Sequence, residues 1–229
     1  MIRENSHGFA ELRDILLADV VLIFAFSFTL LGGVFGIGSV KLSDLALLLP
    51  IVALAVTLSF VLHELMHKFV AQHYGAIAGF RTSYSGLMIT LVTGFLGFLI
   101  GIPGATMIYA SHFTRKENGI VSLAGPLTNF AVFGAFLLIE VLVSPAATSY
   151  LGQAVSLTLF ISILLAFFNM LPIFPLDGSK VLAWNKPVYF GTMGVIFVLM
   201  IIFTAIPLVD IAFMLIIALM FSLMYRHIL

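Results

Sequence analysis

Polar and charged residues occur in a few clusters, and several of the apolar runs between them are long enough to cross a bilayer. A spanning helix needs about 20 apolar residues. Residues 20–40, between Asp19 and Lys41, form a first candidate, and 45–72 a second, with Gly75 as a stop. Residues 120–143, interrupted only by Glu140, form a third, 150–171 a fourth, 188–206 a fifth and 211–225 a sixth, short one. The polar start of the chain is too long for the charged region of a signal peptide and has no small-residue cleavage site after it. It reads as a surface segment ahead of an uncleaved first helix.

Residues 83–113 break this rhythm, because they contain no Asp, Glu, Lys or Arg. Their most apolar part, 87–100, would extend only about 21 Å as a helix, short of the roughly 30 Å hydrocarbon core. It ends in Gly101-Ile102-Pro103-Gly104, a turn signal, and 105–113 (ATMIYASHF) then reads as a strand. A re-entrant segment followed by a hairpin at membrane depth fits this pattern. Basic residues support it. With the N-terminus in the cytoplasm and this region entering and leaving on one side, nine of the ten Lys and Arg lie cytoplasmic and only Lys41 lies outside. A full crossing would move Arg115, Lys116, Lys180, Lys186 and Arg226 outside. The pattern predicts an all-α polytopic membrane protein of about six spans, one embedded domain over residues 1–229.

Composition agrees: 62% of the 229 residues are hydrophobic and 9% charged, with a mean hydropathy of +1.22. A soluble domain carries roughly 25% charged residues. The net charge is zero, which gives nucleic acid no electrostatic purchase. Cysteine is absent, so a metal would be held by His, Asp or Glu.

His63-Glu64-Leu65-Met66-His67 matches H-E-x-x-H at the end of the second apolar run. Positions i and i+4 differ by about 40° around a helix, so both imidazoles can share one metal while Glu64 reaches water beside it. Two imidazoles, a carboxylate and an open position suit zinc. The alternative is an interfacial motif in which Glu64 pairs with Lys68 one turn on and the histidines bind nothing. A second element, Asn169-Met-Leu-Pro-Ile-Phe-Pro-Leu-Asp177-Gly178, breaks the fourth helix with two prolines and ends in an Asp-Gly turn. Asp177 is the only acidic residue between Glu140 and Asp210 and falls on the same predicted side as HELMH, which makes it the candidate third ligand.

HELMH followed about 110 residues later by NMLPIFPLDG resembles the site-2 protease family of intramembrane zinc metalloproteases. Ser122-Leu-Ala-Gly125-Pro126-Leu-Thr-Asn129 is similar to the Gly-Pro element that opens a core helix in many members. The resemblance spans roughly residues 45–182, leaving 20–40, 188–206 and 211–225 peripheral. It implies a single zinc ion on His63, His67 and Asp177, with Glu64 as catalytic acid/base and Asn169 holding the substrate backbone or the developing oxyanion. It also implies transmembrane-protein substrates and a site toward the cytoplasmic face of the cell membrane. The chain resembles a minimal form, too short for the inserted PDZ or appended CBS domains of some members. The residue pattern leaves oligomeric state and substrate identity open. It also admits a divalent-metal transporter or channel built on the same His/Asp cluster, although no internal repeat supports one.

His73, six positions after His67, points away from the metal face, and His112 falls in the predicted strand. Trp184 and Tyr189 read as interface anchors, and Gly97-Phe-Leu-Ile-Gly101 as small-residue helix packing or a gate.

Overall fold

The computed structural model describes residues 2–36, 38, 42–204, 216 and 220. The chain runs α1 (Ile2–Leu30), a single turn α2 (Gly33–Gly36), α3 (Leu42–Val56), a π-helical turn (Thr57–Val61) and α4 (Leu62–His73). There follow β1 (Ile77–Thr82), α5 (Tyr84–Phe95), β2 (Gly104–Tyr109), α6 (Arg115–Val143), α7 (Tyr150–Asn169), α8 (Asp177–Trp184) and α9 (Lys186–Thr204). Four helical stretches are long and apolar enough to cross a membrane: Leu45–His73, Arg115–Val143, Tyr150–Asn169 and Lys186–Thr204. They coincide with the second to fifth expected spans. The sixth, 211–225, lies outside the described residues apart from Ile216 and Met220.

The first expected span is corrected. α1 ends at Leu30, and the chain turns through Gly32 and Gly33, whose φ values of 78° and 62° only glycine adopts readily. The same helix takes in the polar N-terminal stretch, which is part of α1 rather than a segment ahead of it, with Phe9, Leu12 and Arg13 exposed at the surface as expected. Asp14 and Asp19 are buried, and Glu11 ties α1 to two other elements.

α7 is the central rod. Val155, Leu159, Ile163 and Phe167 pack with Phe133 of α6 and Ile196 and Met200 of α9. Ile161 joins a second core with Leu22 and Phe26 of α1, Val52 and Val56 of α3, and Phe80 of β1. A helix flanked on both sides has no polar face to spare, hence its uniformly apolar sequence. Two buried hydroxyls of α7 are paired: Thr158 Oγ1 donates to Ala154 O at 2.7 Å within the helix, and Ser162 shares a hydrogen bond of 2.8 Å with Ser59 of the π-helical turn.

β1 and β2 form an antiparallel pair, with Ile77 opposite Tyr109 and Thr82 opposite Gly104. α5 and a non-helical return lie between them. The expected order is therefore corrected: the helix sits inside the hairpin, and β1, a strand the sequence reading did not contain, precedes it. Residues 96–100 are outside the helix, and the strand ends at Tyr109 rather than Phe113. The helix starts at an N-cap, Ser83 Oγ accepting from Gly86 N at 3.1 Å. Two buried threonines hold the return, Thr90 Oγ1 accepting from Ile102 N at 2.9 Å and Thr93 Oγ1 from Ile100 N at 3.1 Å. Ser83 N then donates to Pro103 O, so the excursion leaves and re-enters at one end of the ladder. Gly97 meets Gly32 and Gly33 backbone to backbone, which is close packing.

Candidate metal centre

The π turn precedes HELMH directly. Its wider winding shifts the phase of all that follows, and it is pinned from outside by Thr57 Oγ1 donating to Asp19 Oδ2 at 2.7 Å. α4 consequently turns His63 and His67 inward, where both are buried, while His73 lies exposed beside Tyr74. His112 is exposed and beyond the strand.

Asp177 arrives from the far side of α7. That helix ends at Asn169, and the proline-containing segment 170–176 leads into α8. Asp177 is the first residue of α8, a correction to the expected turn. Gly178 allows this approach, since a Cβ there would collide with the Met170 and Leu171 carbonyls. Gly119 of α6 likewise receives Trp184, which is a packing residue between α8 and α6; Tyr189, 4% exposed, belongs to the core. Tyr189 is therefore not the interface anchor expected of it.

These elements bring His63, His67 and Asp177 together, with one ligand atom from each lying within 4.8 Å of the others. His67 Nε2 is 3.0 Å from His63 Nε2 and 3.0 Å from Asp177 Oδ2, and His63 Nε2 is 3.5 Å from the same oxygen. Tetrahedral zinc with bonds of about 2.0–2.1 Å sets its ligand atoms about 3.3 Å apart, so the triangle fits. The protonation pattern fits too. His67 Nδ1 lies 2.7 Å from the Val121 carbonyl, an acceptor only, so that nitrogen carries a proton and Nε2 is the one left to face a metal. Asp177 Oδ1 is turned to Lys180 Nζ at 3.5 Å, leaving Oδ2 for the histidines.

Gly125 of α6 roofs the triangle: a Cβ there would overlap Nε2 of both histidines. It sits well inside α6, so the Gly-Pro element here does not open its helix. One turn on, Asn129 is fully buried, and neither amide atom has a partner among the described residues. Asn169 ends α7, its amide donating to Leu165 O at 3.0 Å.

Glu64 does not pair with Lys68. Lys68 Nζ instead reaches Glu11 Oε2 at 2.7 Å, and Glu11 Oε1 accepts from Phe80 N at 3.3 Å on the outer edge of β1. Glu64 Oε2 accepts from Thr106 N at 3.0 Å and from Thr106 Oγ1 at 2.9 Å, so β2 lies alongside the HELMH helix. Sequence reasoning missed both Glu11 and Thr106. Nothing in the pattern marked either.

A protein of Methanocaldococcus jannaschii named "Putative zinc metalloprotease MJ0611" is 36% identical over 177 residues, covering 76% of this chain and 84% of its own. The chain belongs to the site-2 protease family. "Putative zinc metalloprotease YwhC" of Bacillus subtilis is 31% identical over 155 residues, covering 59% of this chain and 68% of that one. "Putative zinc metalloprotease Rip2" of Mycobacterium tuberculosis is 32% identical over 136 residues, covering 54% and 52%. No family profile matches, and no solved structure does. The His63–His67–Asp177 triangle of this site-2 protease family member thus accords with the metal named for its relatives.

Proposed function

We propose that this family member is an intramembrane endopeptidase holding one zinc ion on His63, His67 and Asp177, and that residues 1–229 act as one embedded protease domain with its core in 45–182. The carrying observation is the convergence of three ligand atoms at 3.0–3.5 Å with Glu64 on the same helix, amid apolar helices of spanning length. When bound, zinc supplies Lewis-acid polarisation of the scissile carbonyl and acidifies water. Glu64 removes a proton from the attacking water. The water oxygen bonds to the carbonyl carbon, the C–N bond breaks, and Glu64 returns the proton to the leaving amine. Asn169 holds the substrate backbone or the developing oxyanion.

Substrates are transmembrane proteins, whose scissile bonds are shielded by helical hydrogen bonds and must unwind. The outer edge of β2 is suited to receive the unwound segment by β-augmentation, satisfying groups that lipid cannot. Thr106 N points to Glu64, away from β1, so Thr106 and its alternates Gly104 and Ile108 carry the outward-facing groups of that edge. The hairpin with α5 re-enters on one side of the plasma membrane, with the N-terminus and the site toward the cytoplasm, as the basic residues favour.

The test is zinc analysis of the purified protein together with cleavage of a model single-span substrate. Wild type should bind zinc and cleave, Glu64→Gln should keep zinc and lose turnover, and Asp177→Ala should lose both. A Glu64→Gln protein that cleaves normally would refute the assignment. A metal transporter in which Glu64 is a spectator would instead keep moving ions.

A further inference from the structure

Glu64 lies one position beyond His63 on α4, half-buried, with three long-side-chain torsions to fix. In water such a carboxylate samples many rotamers, and a proton shuttle placed about 1 Å wrong loses much of its rate. Thr106 is the residue that restrains it. The Thr106 backbone N–H and hydroxyl both reach Glu64 Oε2, at 3.0 and 2.9 Å. The hydroxyl is also 3.1 Å from the Glu64 carbonyl. It has a single proton, and the carboxylate is the shorter and stronger acceptor.

The two donors differ in what else they can do. The N–H belongs to the outer edge of β2, because the Phe80–Thr106 pair sends its backbone groups away from the ladder, Phe80 N to Glu11 and Thr106 N to Glu64. A strand added to that edge would compete with the Glu64 carboxylate for this N–H. The hydroxyl is a side-chain group and is not consumed by backbone pairing.

We propose that Thr106 is a positioning residue for Glu64 and couples substrate docking to the proton shuttle: the docked strand takes the backbone N–H, and the hydroxyl alone then holds the carboxylate. This rests on Glu64 as the acid/base and on β2 as the docking edge. Removing the hydroxyl should therefore leave docking intact and impair the chemical step.

The test compares Thr106→Val, which keeps the shape and the backbone N–H, with Thr106→Ser, which keeps the hydroxyl. Thr106→Val should lower kcat by about 10–100-fold, the scale of one charge-assisted hydrogen bond, with KM and zinc content near wild type. Thr106→Ser should restore most of the rate. Wild-type kcat in Thr106→Val, equal loss in both variants, or a loss confined to KM would overturn the proposal. Thermal unfolding of the detergent-solubilised protein gives a readout without activity. Thr106→Val should lower the melting temperature by about 3–6 °C, and by less than half as much in a Glu64→Leu background. Equal shifts in both backgrounds would overturn it. If the wild type fails to cleave, the protease reading is what fails, and the unfolding comparison still decides whether Thr106 holds Glu64.

Discussion

Gly125→Ala is the most incisive single perturbation of the metal centre, because it adds one carbon where the ligands meet. The new Cβ would overlap Nε2 of His63 and of His67, and relief to ordinary contact near 3.5 Å requires α6 or the histidines to move by about 1 Å. Zinc ligand distances tolerate about 0.2 Å, so the strain falls on metal binding before it falls on the fold. For the apo-protein the net cost is modest, up to about 2 kcal/mol. Replacing a mid-helix glycine gains up to about 1 kcal/mol of helix propensity, and overpacking costs about 1–3 kcal/mol. Zinc affinity should fall by at least about 10–100-fold, the scale for disturbing groups around a ligand set. The assay is zinc stoichiometry after equilibration in zinc-buffered medium, with melting curves before and after chelation. Gly134→Ala supplies the control: on the same helix, its Cβ would meet nothing within 4 Å. That variant should bind zinc as wild type does and be slightly stabilised. A Gly125→Ala protein that holds zinc with undiminished affinity would show that α6 does not roof the metal position, and the proposed centre would have to be abandoned.

Other expectations follow from the same contacts. Asp177→Asn removes the ligand charge while keeping shape, and should lower zinc affinity by at least about 100-fold with the fold retained, read by metal analysis and circular dichroism. Glu64→Gln should cut turnover by about 10²–10⁴-fold at unchanged zinc content, the usual share of acid–base catalysis. Ile108→Pro removes an N–H from the outer edge of β2 and should raise KM for a single-span substrate. Met107→Pro, which removes one facing β1, should instead lower stability. If the two prolines behave alike, β2 is not the docking edge. Lys68→Met strands the Glu11 carboxylate between α1 and β1, and should cost about 2 kcal/mol, a fall of roughly 5 °C in melting temperature.

Much of the architecture was legible because bilayer-length apolar runs are a coarse signal. Spans two to five matched observed helices within a few residues, and HELMH and Asp177 are acids and imidazoles in a chain with few of either. What escaped is local backbone chemistry. The apolar count between Asp19 and Lys41 cannot register that Gly32 and Gly33 turn the chain. β1 (IAGFRT) has neither strict alternation nor an apolar run, since one face meets the core through Phe80 while Arg81 turns toward Asp14. Its existence depends on β2, more than twenty residues on. The π turn at Thr57–Val61 leaves no trace in an apolar sequence.

Each of those unsignalled features bears on the positioning of the site. Straight helices of standard phase would present HELMH and the 170–178 bend at unrelated angles. The π turn re-phases α4, the glycines at 119 and 178 let α8 close against α6 and the end of α7, and the α5 excursion returns β2 to lie against Glu64. In hydrocarbon every such irregularity exposes backbone groups that cost several kcal/mol unless satisfied. Thr90, Thr93 and Ser83 take up those of the excursion, and Asp19 braces the π turn through Thr57. Polar residues far from the metal are therefore expected to matter in proportion to the irregular backbone they satisfy. Thr90→Val, which orphans Ile102 N, should destabilise the hairpin and reduce cleavage while leaving zinc in place, whereas Thr158→Val, whose hydroxyl only re-bonds its own helix, should be nearly silent. Equal effects of the two would mean that burial of a threonine, and not what it holds, sets the cost.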